Sequence, residues 1–236
     1  MRILVPVDGS ENSMHAVEFI ASRTTLLGSN PEIEVLNVQL PLPARACRLV
    51  GQDSLTRYYE DEAAKVFEPV RAELNKVGFQ AGEAFLVGEA SDSIAAEAEK
   101  FGADLIVMGS RGQTALRGLF FGSVSKLEHV TDPARITSAS AARIVILDFT
   151  DLLNIDNSAM DQIEVYARAL HRHNHELIIA GASGHPLAQL KRTNIAQRLG
   201  ANLVPNMEFA FARAEIILKE QDEKAAAKRA LLGGEA

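Results

Sequence analysis

Four glycines fall within the fourteen residues that follow a short apolar run ending at Met108. Gly109 and Gly112 enclose two residues, Gly112 and Gly122 enclose nine, and Ser123 comes directly after Gly122. Glycine lets backbone N–H groups approach phosphate oxygens closely, and a helix that begins near Ser123 adds free N–H groups and a favourable dipole. The spacing predicts a phosphate-binding loop, and ordinary turns are the alternative interpretation.

A second polar loop, Asp8-Gly9-Ser10, follows the apolar run at residues 3–7. Ligands of open parallel sheets bind beyond the carboxyl ends of strands, where we expect this loop to meet residues 38–40 and the loop that begins at Gly109. A carboxylate is an acceptor, so Asp8 suits an adenine amino group or a ribose hydroxyl rather than a phosphate. The two loops together favour a nucleotide site over simple turns.

Short apolar runs alternate along the chain with amphipathic stretches, and this alternation predicts parallel strands joined by helices. We predict strands at residues 3–7, 33–38, 82–87, 104–108, 143–149, 176–180 and 202–204. We predict helices at residues 9–27, 54–77, 91–100, 157–173, 186–199 and 207–219, followed by a fraying tail. The fold class is therefore α/β.

Composition and charge narrow the class of protein. The chain is 47% hydrophobic and 23% charged, which is ordinary for a soluble domain, and its net charge is −7. The chain lacks the excess of basic residues that would indicate a nucleic-acid partner. Its longest apolar runs fall far below the roughly 20 residues of a membrane span. The first residues do not resemble a signal peptide. We expect a cytoplasmic protein that binds neither nucleic acid nor membrane.

Metal and catalytic sites are not predicted. His171 and His175 would share a helix face, as in zinc sites, but they lie at a predicted helix end with no evident third ligand. Cys47 is the only cysteine, which excludes a disulfide framework. No acid–base pair is visible, and Arg111 is the only cation within residues 109–112. We predict no metal cluster and no enzymatic activity, with a weak ATP hydrolase as the open alternative.

The sequence at residues 5–10, 104–112 and 122–125 resembles the universal stress protein family, over about residues 1–125. Nucleotide-binding members of that family carry the motif G-2x-G-9x-G-[S/T], which this chain matches at every fixed position. The resemblance implies a five-stranded, Rossmann-like parallel sheet that binds ATP or AMP, with Mg only alongside ATP, and that often dimerises through its last strand. It also implies that Asp8 and Val38 line the adenosine. The residues it places around the ribose and phosphates are Gly109, Arg111, Gly112, Gly122, Ser123, Val124 and Ser125.

A second resemblance begins inside the glycine motif. Residues 118–127, 143–149, 155–159 and 176–181 are similar to the STAS domains of SulP anion transporters, over about residues 118–220. Such domains bind protein partners, some bind nucleotides, and none is catalytic. In the anti-sigma-factor antagonist branch a serine two residues after an aspartate is phosphorylated, and Ser158 holds that place after Asp156. A plain helix N-cap at Asn157 or Ser158 is the alternative interpretation.

The two resemblances share residues 118–125, and the strand at 143–149 suits either the end of the first sheet or the start of a second. We predict a nucleotide-binding domain at 1–125, a STAS-like domain at 118–220 and a flexible tail at 221–236. The predicted function is a homodimeric, non-enzymatic stress-response regulator that binds ATP or AMP through its first half and a protein partner through its second. The alternative is a STAS regulator of anion (sulfate) transport or of an anti-sigma-factor pathway, with a degenerate nucleotide site.

Overall fold

A computed structural model describes residues 1–22, 31–43, 47, 51–109 and 142–232. Within these ranges the chain forms strands that are mostly buried on both faces, as parallel strands covered by helices are. The strands are β1 (Arg2–Pro6), β2 (Glu32–Gln39), β3 (Gly82–Val87), β4 (Leu105–Gly109), β5 (Ile144–Asp148), β6 (Glu176–Ala180) and β7 (Leu203–Val204).

Helices connect these strands. They are α1 (Glu11–Ser22), α2 (Gln52–Asn75), α3 (Ala90–Phe101), α4 (Asn157–Arg172), α5 (Gly184–Arg192), α6 (Ile195–Leu199) and α7 (Met207–Leu232). A short 3-10 turn, Gly200–Asn202, precedes β7. Among the residues the structure describes, no helix is both long enough and apolar enough to cross a membrane.

All described strands join one parallel sheet in the order β3-β2-β1-β4-β5-β6-β7. The order reverses between β1 and β4, because the chain builds outward from β1 to β3 and then returns to the other side of β1. Such a reversal opens a crevice at the carboxyl ends of the two central strands. The predicted α/β class with a parallel sheet is confirmed.

Helices cover both faces of the sheet, because alternate side chains along each strand point to opposite sides. On β1, Leu4 packs into one layer, with α3, α4, α5 and α6. Ile3 and Val5 pack into the other layer, with α1, α2 and α7. The two apolar layers run the width of the sheet, so both halves of the sequence contribute to each of them.

Strand β5 is the strand that the sequence could assign either to the end of the first sheet or to the start of a second. It pairs with β4 on one side and with β6 on the other, so it closes the first group of strands and begins the second. Both of its edges are therefore occupied within the chain. The implied dimer contact through the last strand of the first half is not available here, because no edge of β5 remains open for a second copy.

Two predicted helices differ from those observed. The single helix predicted at 186–199 is wrong: it breaks at Thr193, whose backbone is extended and whose hydroxyl donates to the carbonyl oxygens of Gln189 and Leu190, both at 3.1 Å. Such local side-chain bonds compete with helix continuation. The predicted end of the last helix at Lys219 is also wrong, since α7 continues to Leu232. Its last turns are rich in Ala, Lys and Arg, which favour helix without needing a buried face.

Candidate functional site

The crevice between β1 and β4 begins with a turn built on Asp8. The Asp8 Oδ1 atom accepts hydrogen bonds from the backbone N–H of Ser10 at 3.0 Å and from the Ser10 hydroxyl at 2.6 Å. Gly9 lies between them with φ +77°, a conformation that side chains disfavour. The sequence Asp-Gly-Ser thus folds into a tight turn that fixes the carboxylate at the carboxyl end of β1.

The same turn starts helix α1. The Ser10 Oγ atom accepts from the backbone N–H of Ser13 at 3.3 Å, in the geometry of an N-cap. The Ser13 hydroxyl donates back to the Ser10 carbonyl oxygen at 2.9 Å. The positive end of the helix dipole is therefore held beside the crevice, where it favours a negatively charged ligand.

Asp8 and Val38, the two predicted adenosine residues, line one shallow cavity. Its space, including the part open to solvent, is about 210 Å³. Its other lining residues are apolar and lie at the end of β1, on β2 and on α3: Pro6, Val7, Leu36, Ala90 and Ile94. The Asn37 Nδ2 atom donates to the Val7 carbonyl oxygen at 2.9 Å and ties the ends of β1 and β2 together beside it.

This cavity has the chemistry that a purine nucleoside requires. Apolar walls suit the faces of a flat base, and the carboxylate at the rim suits an amino or hydroxyl donor. The lining is therefore chemically compatible with an adenosine group, at the carboxyl ends of β1 and β2.

Gly109 lies at the end of β4, where the glycine motif begins. A Cβ atom at this position would approach the Asn12 carbonyl oxygen to 2.8 Å, closer than real Cβ contacts allow. Glycine is therefore required for β4 to pass the first turn of α1. The predicted phosphate-site residues Arg111, Gly112, Gly122, Ser123, Val124 and Ser125 lie outside the described residues.

We expect Gly109→Ala to destabilise the protein, because the added methyl group must displace the backbone of α1. Overpacking of this kind costs about 1–3 kcal/mol, which corresponds to roughly 2–12 °C in melting temperature for a chain of this size. A thermal melt measures the change. Gly51→Ala is the control, since within the described residues no heavy atom lies within 4 Å of its added Cβ. Equal melting temperatures for the two variants would contradict the close approach.

A second turn, missed by the sequence analysis, lies next to the first. Asp148 at the end of β5 is the register partner of Gly109, and its Oδ1 accepts from the backbone N–H of Thr150 at 2.9 Å and from the Thr150 hydroxyl at 2.5 Å. The pattern Asp-x-Thr repeats Asp8-x-Ser10 in both sequence and geometry. The repetition of this pattern at two strand ends is the sequence signal that could have identified Asp148.

A contact between side chains connects the two halves at this edge. The His15 Nδ1 atom on α1 lies 2.6 Å from an Asp151 carboxylate oxygen in the loop between β5 and α4. Both side chains are partly exposed. A side chain of the first half thus contacts the loop that leads to Asp156 and Ser158.

Ser158 is exposed in the first turn of α4. The predicted N-cap at Asn157 or Ser158 is wrong, because Asp156 caps the helix: its Oδ1 atom accepts from the backbone N–H of Ala159 at 2.7 Å. The Ser158 hydroxyl is therefore not required to satisfy the start of the helix.

The histidines near the end of α4 do not converge. The His171 Nδ1 atom is exposed and lies 3.7 Å from a carboxylate oxygen of Glu176. His175 is partly buried, and this burial lowers its pKa. Within the described part of the chain, no group of three His, Cys, Asp or Glu side chains is arranged to hold a metal ion.

The model of the universal stress protein family matches residues 1–126, more than half of the chain. The chain belongs to the universal stress protein family. A STAS domain model matches residues 86–210 and overlaps the first match across β4. The predicted combination of a universal stress protein unit with a STAS unit is confirmed, while the boundaries predicted for each remain predictions.

Curated relatives match the first half of this universal stress protein. Universal stress protein MJ0577 of Methanocaldococcus jannaschii is 29% identical over 140 residues, covering 53% of this chain and 85% of the relative. Stress response protein NhaX of Bacillus subtilis is 31% identical over 147 residues, covering 53% of this chain and 89% of the relative.

Solved structures overlap parts of the fold. That of MJ0577 has a TM-score of 0.46 at 27% identity and covers 62% of this chain and 93% of its own. A sulfate transporter family protein from Wolinella succinogenes has a TM-score of 0.40 at 19% identity and covers 49% of this chain and 88% of its own.

Proposed function

We propose that this universal stress protein binds an adenine nucleotide, ATP or AMP, in the crevice between β1 and β4, and binds a protein partner through its STAS half. The observation that carries the nucleotide site is the meeting of Asp8 and Val38 on one cavity at the carboxyl ends of β1 and β2, next to the reversal of strand order between β1 and β4. The family's nucleotide-binding motif begins at Gly109, at the end of the neighbouring strand β4.

In this proposal the base lies against the apolar walls of the cavity, and the Asp8 carboxylate accepts from the ribose or the adenine amino group. The phosphates extend toward the start of α1, whose dipole favours their charge, and toward the glycine motif. The residues proposed to surround them are Gly109, Arg111, Gly112, Gly122, Ser123, Val124 and Ser125. Mg²⁺ would accompany ATP and not AMP.

A binding role is favoured over hydrolysis. Phosphoryl transfer requires cations that neutralise the transferred group and a residue that orients the nucleophile. Among the described residues that line the cavity, Asp8 is the only ionisable side chain, and its Oδ1 already accepts two hydrogen bonds from Ser10. Within residues 109–112, Arg111 is the only cation. We therefore propose a non-enzymatic regulator.

The partner role is assigned to the exposed start of α4. Ser158 is exposed there and is not needed as a cap, so a phosphate could be added without removing a structural hydrogen bond. A phosphate at a helix N-terminus is favoured by the dipole, while on a partner-facing surface it adds about two negative charges that the partner must accommodate. Ser158 is the proposed phosphorylation site, and its state would switch partner binding.

A contact between the two halves supports a regulator in which one site responds to the other. β5 lies between β4 and β6, and the His15–Asp151 pair joins α1 to the loop before α4. A ligand that orders the start of α1 therefore acts on groups in contact with that loop. The STAS match also supports an alternative function, a regulator of anion transport. In that alternative the protein has no functional nucleotide site.

The first test is to look for nucleotide that stays bound through purification. We expect adenine nucleotide to be released when the purified protein is denatured and its supernatant is separated by ion-pair chromatography. Protein stripped of ligand and incubated with ATP or AMP should recover it in near one-to-one amount. Failure to retain either nucleotide after such incubation would favour the anion-transport alternative.

A further inference from the structure

The outer face of α7 carries an apolar stripe that the fold does not use. The inner face packs into the core through residues such as Phe211 and Ile217, which are buried. On the opposite side, Phe209 is 56% exposed and Ile216 is 50% exposed, with the exposed Ala212 between them. At about 3.6 residues per turn these three side chains lie along one line of the helix.

Charged residues flank this stripe in an order that is nearly symmetric about residue 217. One flank carries Glu215 and Lys219, and the other carries Arg213 and Glu220. Each flank thus holds one acidic and one basic residue, and the midpoint of both pairs falls close to residue 217. A two-fold axis at that point would turn each acidic residue of one helix toward the basic residue on the same flank of an antiparallel copy.

We propose that a second copy of this chain docks antiparallel along the outer face of α7. Ile216 then lies close to the axis, and Glu215 faces the partner's Lys219. Arg213, whose Nε atom donates to the Asn202 side-chain oxygen at 2.9 Å, lies on the same flank as the partner's Glu220. A two-fold interface uses the same patch on both subunits and must be complementary to itself. An arrangement of charges that is self-complementary about a single point favours a second copy over an unrelated protein.

The exposed end of α7 supports the same arrangement. Residues 222–230 are all exposed, although the helix continues through them. Helical segments this short are marginal in water without packing. In the proposed dimer Lys224 lies beside the partner's Phe209, where the ammonium group gains a cation–π contact and its aliphatic stem covers the ring. The proposal also supplies a dimer contact that does not need the edges of β5.

The test is the mass of the full-length protein measured by sedimentation velocity over a wide range of concentration. We expect a dimer that dissociates on dilution, and we expect Ile216→Glu to raise its dissociation constant at least about tenfold, as removal of a central interface residue does. Val77→Glu is the matched control, because Val77 is also an exposed apolar residue, at 43%, but lies after α2. Circular dichroism checks that both variants are folded.

Charge reversal tests the two-fold arrangement itself. Glu215→Lys alone and Lys219→Glu alone each place like charges together twice per dimer, so each should weaken the dimer, by roughly threefold to tenfold. The double variant restores opposite charges and should recover wild-type dimerisation. A protein that is monomeric at all concentrations would overturn the proposal. So would a dimer that is indifferent to Ile216→Glu, or a double variant as weak as the single ones.

Discussion

ATP and AMP should raise the melting temperature of the wild-type protein, and Gly112→Val should abolish that rise. A ligand that binds only the native state stabilises it by mass action, by about 2.7 kcal/mol at 100 times its dissociation constant. For a chain of this size that corresponds to roughly 5–11 °C. Valine at position 112 would place a branched side chain where the motif needs backbone N–H groups to approach phosphate.

The control for this prediction is Gly51→Val. Gly51 precedes α2, its φ is −59°, and the described residues leave open space around an added Cβ. This variant should melt higher with ATP, as the wild type does. Melting curves of the wild type that do not move at millimolar ATP or AMP would contradict the nucleotide site.

Ser158→Glu should release the protein partner, whereas Ser158→Ala should retain it. Neither change removes a cap, since Asp156 supplies it, so we expect both variants to keep their stability within about 0.5 kcal/mol. A negative charge that a partner surface must desolvate without a counter-charge typically costs several kcal/mol. Quantitative mass spectrometry of proteins captured from a source lysate by each tagged variant measures the difference.

A matched control for this prediction is Ser54→Glu. Ser54 is an exposed serine in the first turn of α2, so the substitution makes the same chemical change at another helix start. It should leave the captured proteins unchanged. If Ser158→Glu also captures the same proteins in the same amounts as the wild type, Ser158 is a solvated helix residue without a role in binding.

Much of the fold follows from local sequence pattern. The observed bounds of β3 and β6 are those predicted, because each apolar run is flanked by residues that favour turns or helix ends. The placement of β5 between β4 and β6 was not predictable, since a parallel strand buried on both faces has the same apolar composition whichever neighbours it has. Only the pairing of the folded chain distinguishes the two assignments that the sequence left open.

The sequence predicts where a helix cap occurs, but not which residue forms it. The run Asp156-Asn157-Ser158 contains three residues that all favour an N-cap, and the backbone of the folded loop decides that Asp156 takes this position. The end of α7 was missed because its apolar periodicity stops near Leu218, while the helix is continued by residues of high intrinsic propensity.

The sequence predicts a nucleotide site from two separated loops, and the structure brings together Asp8 and Val38, the two residues predicted to line the adenosine. Asp8 and Val38 line one cavity because β1 and β2 are neighbours that end at the same edge of the sheet. Asp148 was overlooked, since its strand was considered only as a boundary between two units. Its position beside Gly109 was not evident until β5 could be placed next to β4.

Hydrogen–deuterium exchange with and without ATP tests the central claim most directly, because it reports both binding and its location. The account predicts that ATP slows exchange in peptides that cover residues 7–14, 37–40 and 109–125, and leaves residues 184–204 unchanged. The absence of any protection at saturating ATP, or protection confined to residues 184–204, would contradict a nucleotide site between β1 and β4.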